Sequence, residues 1–149
     1  MQKLSAFGAV LLMALLMPVV PAEAQTVQAL RDFGMIGTWA EDCSQPPNKS
    51  NWYGSYGVSA DGAAEIVYKN SPDTIYTRYR FLKAQIVGSD RISMSVKNVL
   101  SNQRLDSVFQ RVGDKIFVWS SFKDGTEVIK DGNYLINGRP TPRLTRCGA

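Results

Sequence analysis

The residues able to do chemistry are few, and an absence shapes the list. The 149-residue chain contains no histidine. That removes Ser-His-Asp and Cys-His nucleophile systems, the H-E-x-x-H metal motif and the commonest general base near neutral pH. No G-x-G-x-x-G, Walker or G-x-S-x-G sequence occurs. Paired carboxylates remain, and Glu41 adjoins Asp42. Neighbours on a strand point to opposite faces, so this pair cannot converge on one substrate without a bulge. Glu65 and Asp106 stand alone. These residues predict a non-enzymatic protein with no metal site and no cofactor.

Two cysteines allow one bridge, Cys43–Cys147. The alternatives are two buried thiols or a redox pair. There is no C-x-x-C, and both cysteines fall in loops or chain ends, so a structural disulfide is expected. By the chain-entropy relation a loop of this length contributes on the order of 4–5 kcal/mol. A ladder setting Cys43 opposite Cys147 would leave Trp39 facing past the last residue. Loop excursions to the bridge would remove that conflict.

A disulfide fits an oxidising compartment, and the start of the chain agrees. Lys3, an apolar run over residues 4–20, and Ala22-Glu23-Ala24 before Gln25 have the order of a secretory signal peptide. The expectation is a leader over 1–24, a single domain over 25–149 and a periplasmic or secreted location. A retained anchor is the other option. No second apolar run reaches membrane-spanning length. The formal net charge is +4, with charges scattered. That is poor support for nucleic acid, which an exported domain rarely meets.

Binding chemistry is better represented. Trp52, Tyr53, Tyr56, Tyr68, Tyr76 and Tyr79 each offer an apolar body with a polar tip, suited to amphipathic molecules. They could equally be core or cross-strand pairs. Arg78 and Arg80 share a strand face and are expected outside the protein, where they need no buried partner.

The elements that must position these residues are mostly strands. "TVQALRDF" has helical spacing, with Thr26 as a possible cap and Val27, Leu30 and Phe33 on one face. After it come short apolar-alternating runs separated by turn signals such as Asp61-Gly62, Gly113-Asp114, Asp124-Gly125, Asp131-Gly132 and Asn137-Gly138. Ile92, Met94 and Val96 oppose Arg91, Ser93 and Ser95. Ile75, Thr77, Tyr79 and Phe81 oppose Tyr76, Arg78, Arg80 and Leu82. Each such strand has one dry face. "KIFVWSSF" is apolar on both faces and calls for a second cover, with the helix as candidate. A last pair of strands is expected around "NYLING" and "PRLTRC". The long loop is "SQPPNKSNWYG", residues 44–54. The whole predicts an all-β antiparallel up-and-down meander of about eight strands, closed into a barrel, with a short N-terminal helix.

A short helix, then Gly37-Thr38-Trp39 entering the first strand, then a meander with a late arginine, resembles the lipocalin-like, or calycin, barrels. The resemblance implies that Trp39 plugs the closed end, with Arg143 or Arg146 as candidate partner through cation–π contact and hydrogen bonds. "TWAEDCSQPP" and "NGRPTPRLTRC" are also similar to stretches of small exported alphaproteobacterial proteins. The functional expectation is a binding barrel for a small hydrophobic or amphipathic molecule, with Trp52, Tyr53, Tyr56, Tyr68 and Tyr79 as candidate ligand contacts. The alternative is an envelope interaction protein or hydrolase inhibitor that presents residues 44–54 to a protein partner.

Overall fold

The fold follows from a computed structural model that describes residues 20–148. Residues 1–19 of the expected leader lie outside the described residues. Its expected end, Ala22 to Ala24, forms the first turn of helix α1 (Ala22–Asp32). The strands are β1 (Gly37–Ala40), β2 (Tyr53–Val58), β3 (Ala64–Lys69), β4 (Ile75–Ile86), β5 (Arg91–Asn98), β6 (Arg104–Val112) and β7 (Lys115–Lys123). They are followed by β8 (Thr126–Lys130), β9 (Asn133–Tyr134) and β10 (Leu144–Cys147).

Helix α1 starts earlier than its spacing suggested. Pro21 precedes it with φ −56°, already the helical value that makes proline suited to a helix start. Thr26 therefore lies inside the helix, where it is buried with Val27 and Leu30 rather than capping. The helix ends in a Schellman turn: Gly34, at φ +72°, donates to Arg31 O, and Met35 donates to Leu30 O.

Consecutive strands pair antiparallel from β1 to β7, and β10 closes the ring by lying between β1 and β7. Eight strands thus make a closed barrel. On one side of β10, Trp39 faces Arg146; on the other, Leu144 faces Ile116. Strand β7 shares its far edge between two partners. Lys115 and Ile116 pair with β10, whereas Ser121 to Lys123 pair with β8.

The last two expected strands are present as β9 and β10, and they lie in different parts of the sheet rather than beside each other. Asp131 and Gly132, both at positive φ, turn Asn133 and Tyr134 back onto β8, with Ile129 facing Tyr134. Leu144 to Cys147 are thereby left free to enter the barrel. The second cover of β7 also differs from expectation. Phe117 and Trp119 stand outside, Arg143 lies 3.4 Å over the Phe117 ring, and Arg91 lies 4.4 Å over Trp119. Gly132 approaches Phe117 so closely that a Cβ there would meet the ring at 3.0 Å. The cover is the segment after β8, not the helix.

Helix α1 packs mainly on β4 and belongs to the plug at one end of the barrel. Leu30, Met35, Trp39, Ile92 and Ile116 are the largest fully buried side chains. The Trp39 indole N–H donates to Met35 O at 2.9 Å. Arg111 donates to Phe33 O and lies 4.9 Å from the Phe33 ring and 5.9 Å from the Trp39 ring. Arg146, across the ladder from Trp39, donates to Ile36 O at 2.8 Å. The cation over Trp39 is thus Arg111 of β6. Arg146 holds the turn beside Trp39, and Arg143 sits elsewhere, on Phe117.

The disulfide joins Cys43 to Cys147. Cys147 faces Thr38 in the ladder, so the chain after Ala40 doubles back to reach it. Trp39 keeps its ladder partner because the bridge is made from a loop.

Candidate functional site at the open end of the barrel

Among the described residues, no helix or tight turn fills the end opposite α1. Trp52, Tyr56, Tyr68, Phe109, Val118 and Leu144 wall a pocket of about 460 Å³, with Glu41, Lys49 and Tyr134 at its rim. Beyond the wall shared by Tyr68, Phe109 and Val118 lies a smaller cavity of about 150 Å³, lined also by Ile66, Tyr79 and Met94. Ser107 and Ser121 bond to each other there at 2.8 Å, so neither hydroxyl is left bare against the apolar lining.

Local sequence explains how the aromatics reach these places. Alternation along β2 turns Gly54 and Tyr56 inward. Gly54 faces Tyr68 in the β2–β3 ladder, and a Cβ on Gly54 would stand 2.9 Å from the Tyr68 ring. Glycine is what lets that ring lie across the pocket wall. Tyr68 then meets Tyr79 edge-on with centroids 6.0 Å apart, and Tyr56 meets Phe109 edge-on at 6.3 Å. The hydroxyls of Tyr56 and Tyr68 lie 3.3 Å apart. Burial pushes the Tyr56 phenol well above its ordinary range and raises that of Tyr68. Tyr134 is raised by burial first and by the Glu41 charge second.

Trp52 forms one side of the mouth. Its indole donates to Lys49 O at 3.0 Å, and its ring meets Tyr76 edge-on at 4.5 Å. The loop that carries it is held from beneath. Buried Asn51 accepts from Asp42 N and donates to Asp42 O, and Asn48 and Asn51 form a small bridge. The loop is shorter than residues 44–54, since Tyr53 and Gly54 already belong to β2.

Of the aromatics singled out in the sequence, Trp52, Tyr56 and Tyr68 share the pocket and Tyr79 lines the cavity behind it. Tyr53 does not join them. It points to the other face of β2, where its hydroxyl reaches Gln45 O at 2.6 Å and braces the loop. Phe109, Val118, Tyr134 and Leu144 were not foreseen as pocket residues. Phe109 is on the inward face of β6, but which inward residues border space rather than one another depends on the packing of all eight strands. Glu41 and Asp42 diverge: Glu41 borders the pocket, while Asp42 accepts hydrogen bonds from the Ser44 amide and hydroxyl. These bonds hold the Asp42 carboxyl below its usual range. Arg78 and Arg80 lie outside, paired with Glu65 at 3.7 Å and Asp61 at 2.9 Å.

Among the described residues no group of three or more His, Cys, Asp or Glu side chains is placed to hold a metal ion. No described helix is long and apolar enough to cross a membrane. The chemical capacity of the site is that of a half-open apolar cup with phenol hydroxyls in its wall and opposite charges at its rim. No protein-family model, no curated protein and no solved structure matches this chain.

Proposed function

We propose that this protein is an exported, non-enzymatic binding protein of lipocalin-like design, periplasmic or secreted, which holds a small hydrophobic or amphipathic molecule in the open end of its barrel. The observation that carries the reading is the pocket of about 460 Å³ walled by Trp52, Tyr56, Tyr68, Phe109, Val118 and Leu144. Ligand pockets are typically about 300–1,000 Å³, mostly apolar, with a few placed polar groups. The disulfide supports an oxidising compartment. Native mass spectrometry of the protein purified from its own compartment tests the reading. A small-molecule adduct that disappears on denaturation, and that is lost when Leu144→Trp fills the pocket, is the expected result. A bare protein in that compartment would sink it.

The envelope interaction role is favoured by one observation: Trp52 and Tyr76 remain 38% and 56% exposed on a braced loop and its neighbouring strand. Aromatic anchors on preorganised loops make efficient contacts with protein partners. In that case a captured partner would be released by Trp52→Ala and kept by Leu144→Trp.

A further inference from the structure

Tyr56 and Tyr68 share one hydrogen bond in the pocket wall, and the count of hydrogens does not close. Their oxygens lie 3.3 Å apart, and among the described residues neither oxygen has a second partner. Two phenols carry two hydrogens, and the bond between them uses one. A single O–H donor of this pair therefore remains without a protein acceptor, beside the apolar surfaces of Trp52, Phe109, Val118 and Leu144, while the other polar lining residues are Glu41, Lys49, Ser50 and Tyr134. Buried donors are normally satisfied, by protein or by water; a ligand that displaces water from this donor must offer an acceptor in its place or lose affinity. Burial raises both phenols, so each stays protonated and able to donate across the physiological range.

The charges narrow the class of acceptor. One lysine, Lys49, and one glutamate, Glu41, border the pocket, and its other lining residues are uncharged. A carboxylate entering would lose water without gaining a net positive surrounding, which disfavours it strongly. A neutral oxygen acceptor has no such difficulty. We propose that the pocket takes a neutral carbonyl compound. Its carbonyl oxygen accepts the O–H left free by the Tyr56–Tyr68 pair, and its apolar body lies against Phe109, Val118 and Leu144. This rests on reading the open end as a ligand site and adds the functional group that the ligand must carry. The volume of about 460 Å³ admits a bicyclic aromatic ketone.

The test compares three probes of similar shape on the purified full chain by titration of tryptophan emission: 2-acetylnaphthalene, 2-ethylnaphthalene and 2-naphthoate. Each is measured against the native protein, Tyr56→Phe, Tyr68→Phe and the double variant. Loss of one hydrogen bond is expected to weaken the ketone about ten-fold in the double variant, equivalent to about 1.4 kcal/mol, and to change the hydrocarbon by less than about two-fold. Equal responses of ketone and hydrocarbon would overturn the carbonyl proposal while leaving the pocket intact. Naphthoate binding tighter than the ketone would overturn its neutrality. Failure of all three probes to bind the native protein would overturn this proposal together with the binding function. Should the phenylalanine variants fold poorly, the infrared carbonyl stretch of the ketone bound to the native protein decides. A shift to lower frequency than in hexane is expected, and a hexane-like value refutes the hydrogen bond.

Discussion

At the α1 end of the barrel Leu30, Met35, Trp39, Ile92 and Ile116 are each at most 1% exposed, whereas at the other end Trp52 is 38% exposed beside a pocket of about 460 Å³. The same strands run through both ends. What differs is what arrives to fill the space. At the closed end the chain supplies a helix, a tight turn at Gly34 and two arginines that donate to the carbonyls of that turn, Arg111 to Phe33 and Arg146 to Ile36. At the open end it supplies loops braced against their own backbone, which ring the mouth without entering it. The comparison teaches that tryptophan type decides nothing by itself. Trp39 and Trp52 both donate to a backbone carbonyl nearby in sequence, yet the first is 1% exposed inside the plug and the second stays 38% exposed with its ring against Tyr76.

Truncation at the two tryptophans should therefore break the comparison most visibly. Trp39→Ala is expected to lower unfolding stability by about 4 kcal/mol, in the range for large aromatic truncation in a core, measured by urea denaturation. Removing the bridge with Cys43→Ala and Cys147→Ala together should cost about 4 kcal/mol by the same measurement, in line with the chain-entropy figure for its long loop. It should leave the pocket walls in place, since neither cysteine lines them. Arg111→Ala should cost about 2 kcal/mol, through the lost bond to Phe33 O and the lost contact with two rings. Trp52→Ala should cost under about 1 kcal/mol, as befits a half-exposed side chain, while weakening binding of an apolar probe about ten-fold.

The smallest effect concerns acid. Hydrogen bonding from Ser59 and then Arg80 lowers the Asp61 carboxyl to about 2. Its folded value is below its unfolded one. Its stabilising contribution is therefore present above the ordinary carboxylate range and is lost as pH falls through about 2. Asp61→Asn should flatten that part of the acid limb of a thermal-unfolding series. An unchanged limb would show that Asp61, at the turn between β2 and β3, contributes nothing there.

The closed end was the more legible in sequence. Alternation in Ile92, Met94 and Val96, the Val27–Leu30–Phe33 face and the Gly-x-Trp entry all report local periodicity, and each led to a residue that is buried here. The cysteines had one possible connectivity, so their bridge could be read directly. Less was legible where periodicity breaks. The bulge after Phe81 turns both Phe81 and Ala84 inward, which strict alternation denies. Arg111 could not be picked as the cation over Trp39, because that choice depends on how β6 is set relative to β1 across the barrel. The pocket was half legible. Tyr56 and Tyr68 carried the right chemistry, but Tyr53, of the same type, faces outward one residue before Gly54. Whether a wall meets space or another wall is a property of all eight strands at once.

Strand β10 has one more consequence, in the order of events rather than in the finished barrel. It is the single stave between β1 and β7, so until it docks β1 and the first residues of β7, Lys115 and Ile116, present bare backbone. Such edges invite pairing with another copy of the chain. The ladder partners on the β1 side lie more than 100 residues apart in sequence, as with Thr38 and Cys147, which makes their meeting slow relative to local hairpins. Docking of β10 covers β1 and the start of β7 in one step and brings Cys147 to where Cys43 can reach it. Refolding yield should accordingly fall as protein concentration rises, and should recover once the last four-residue strand has found its place.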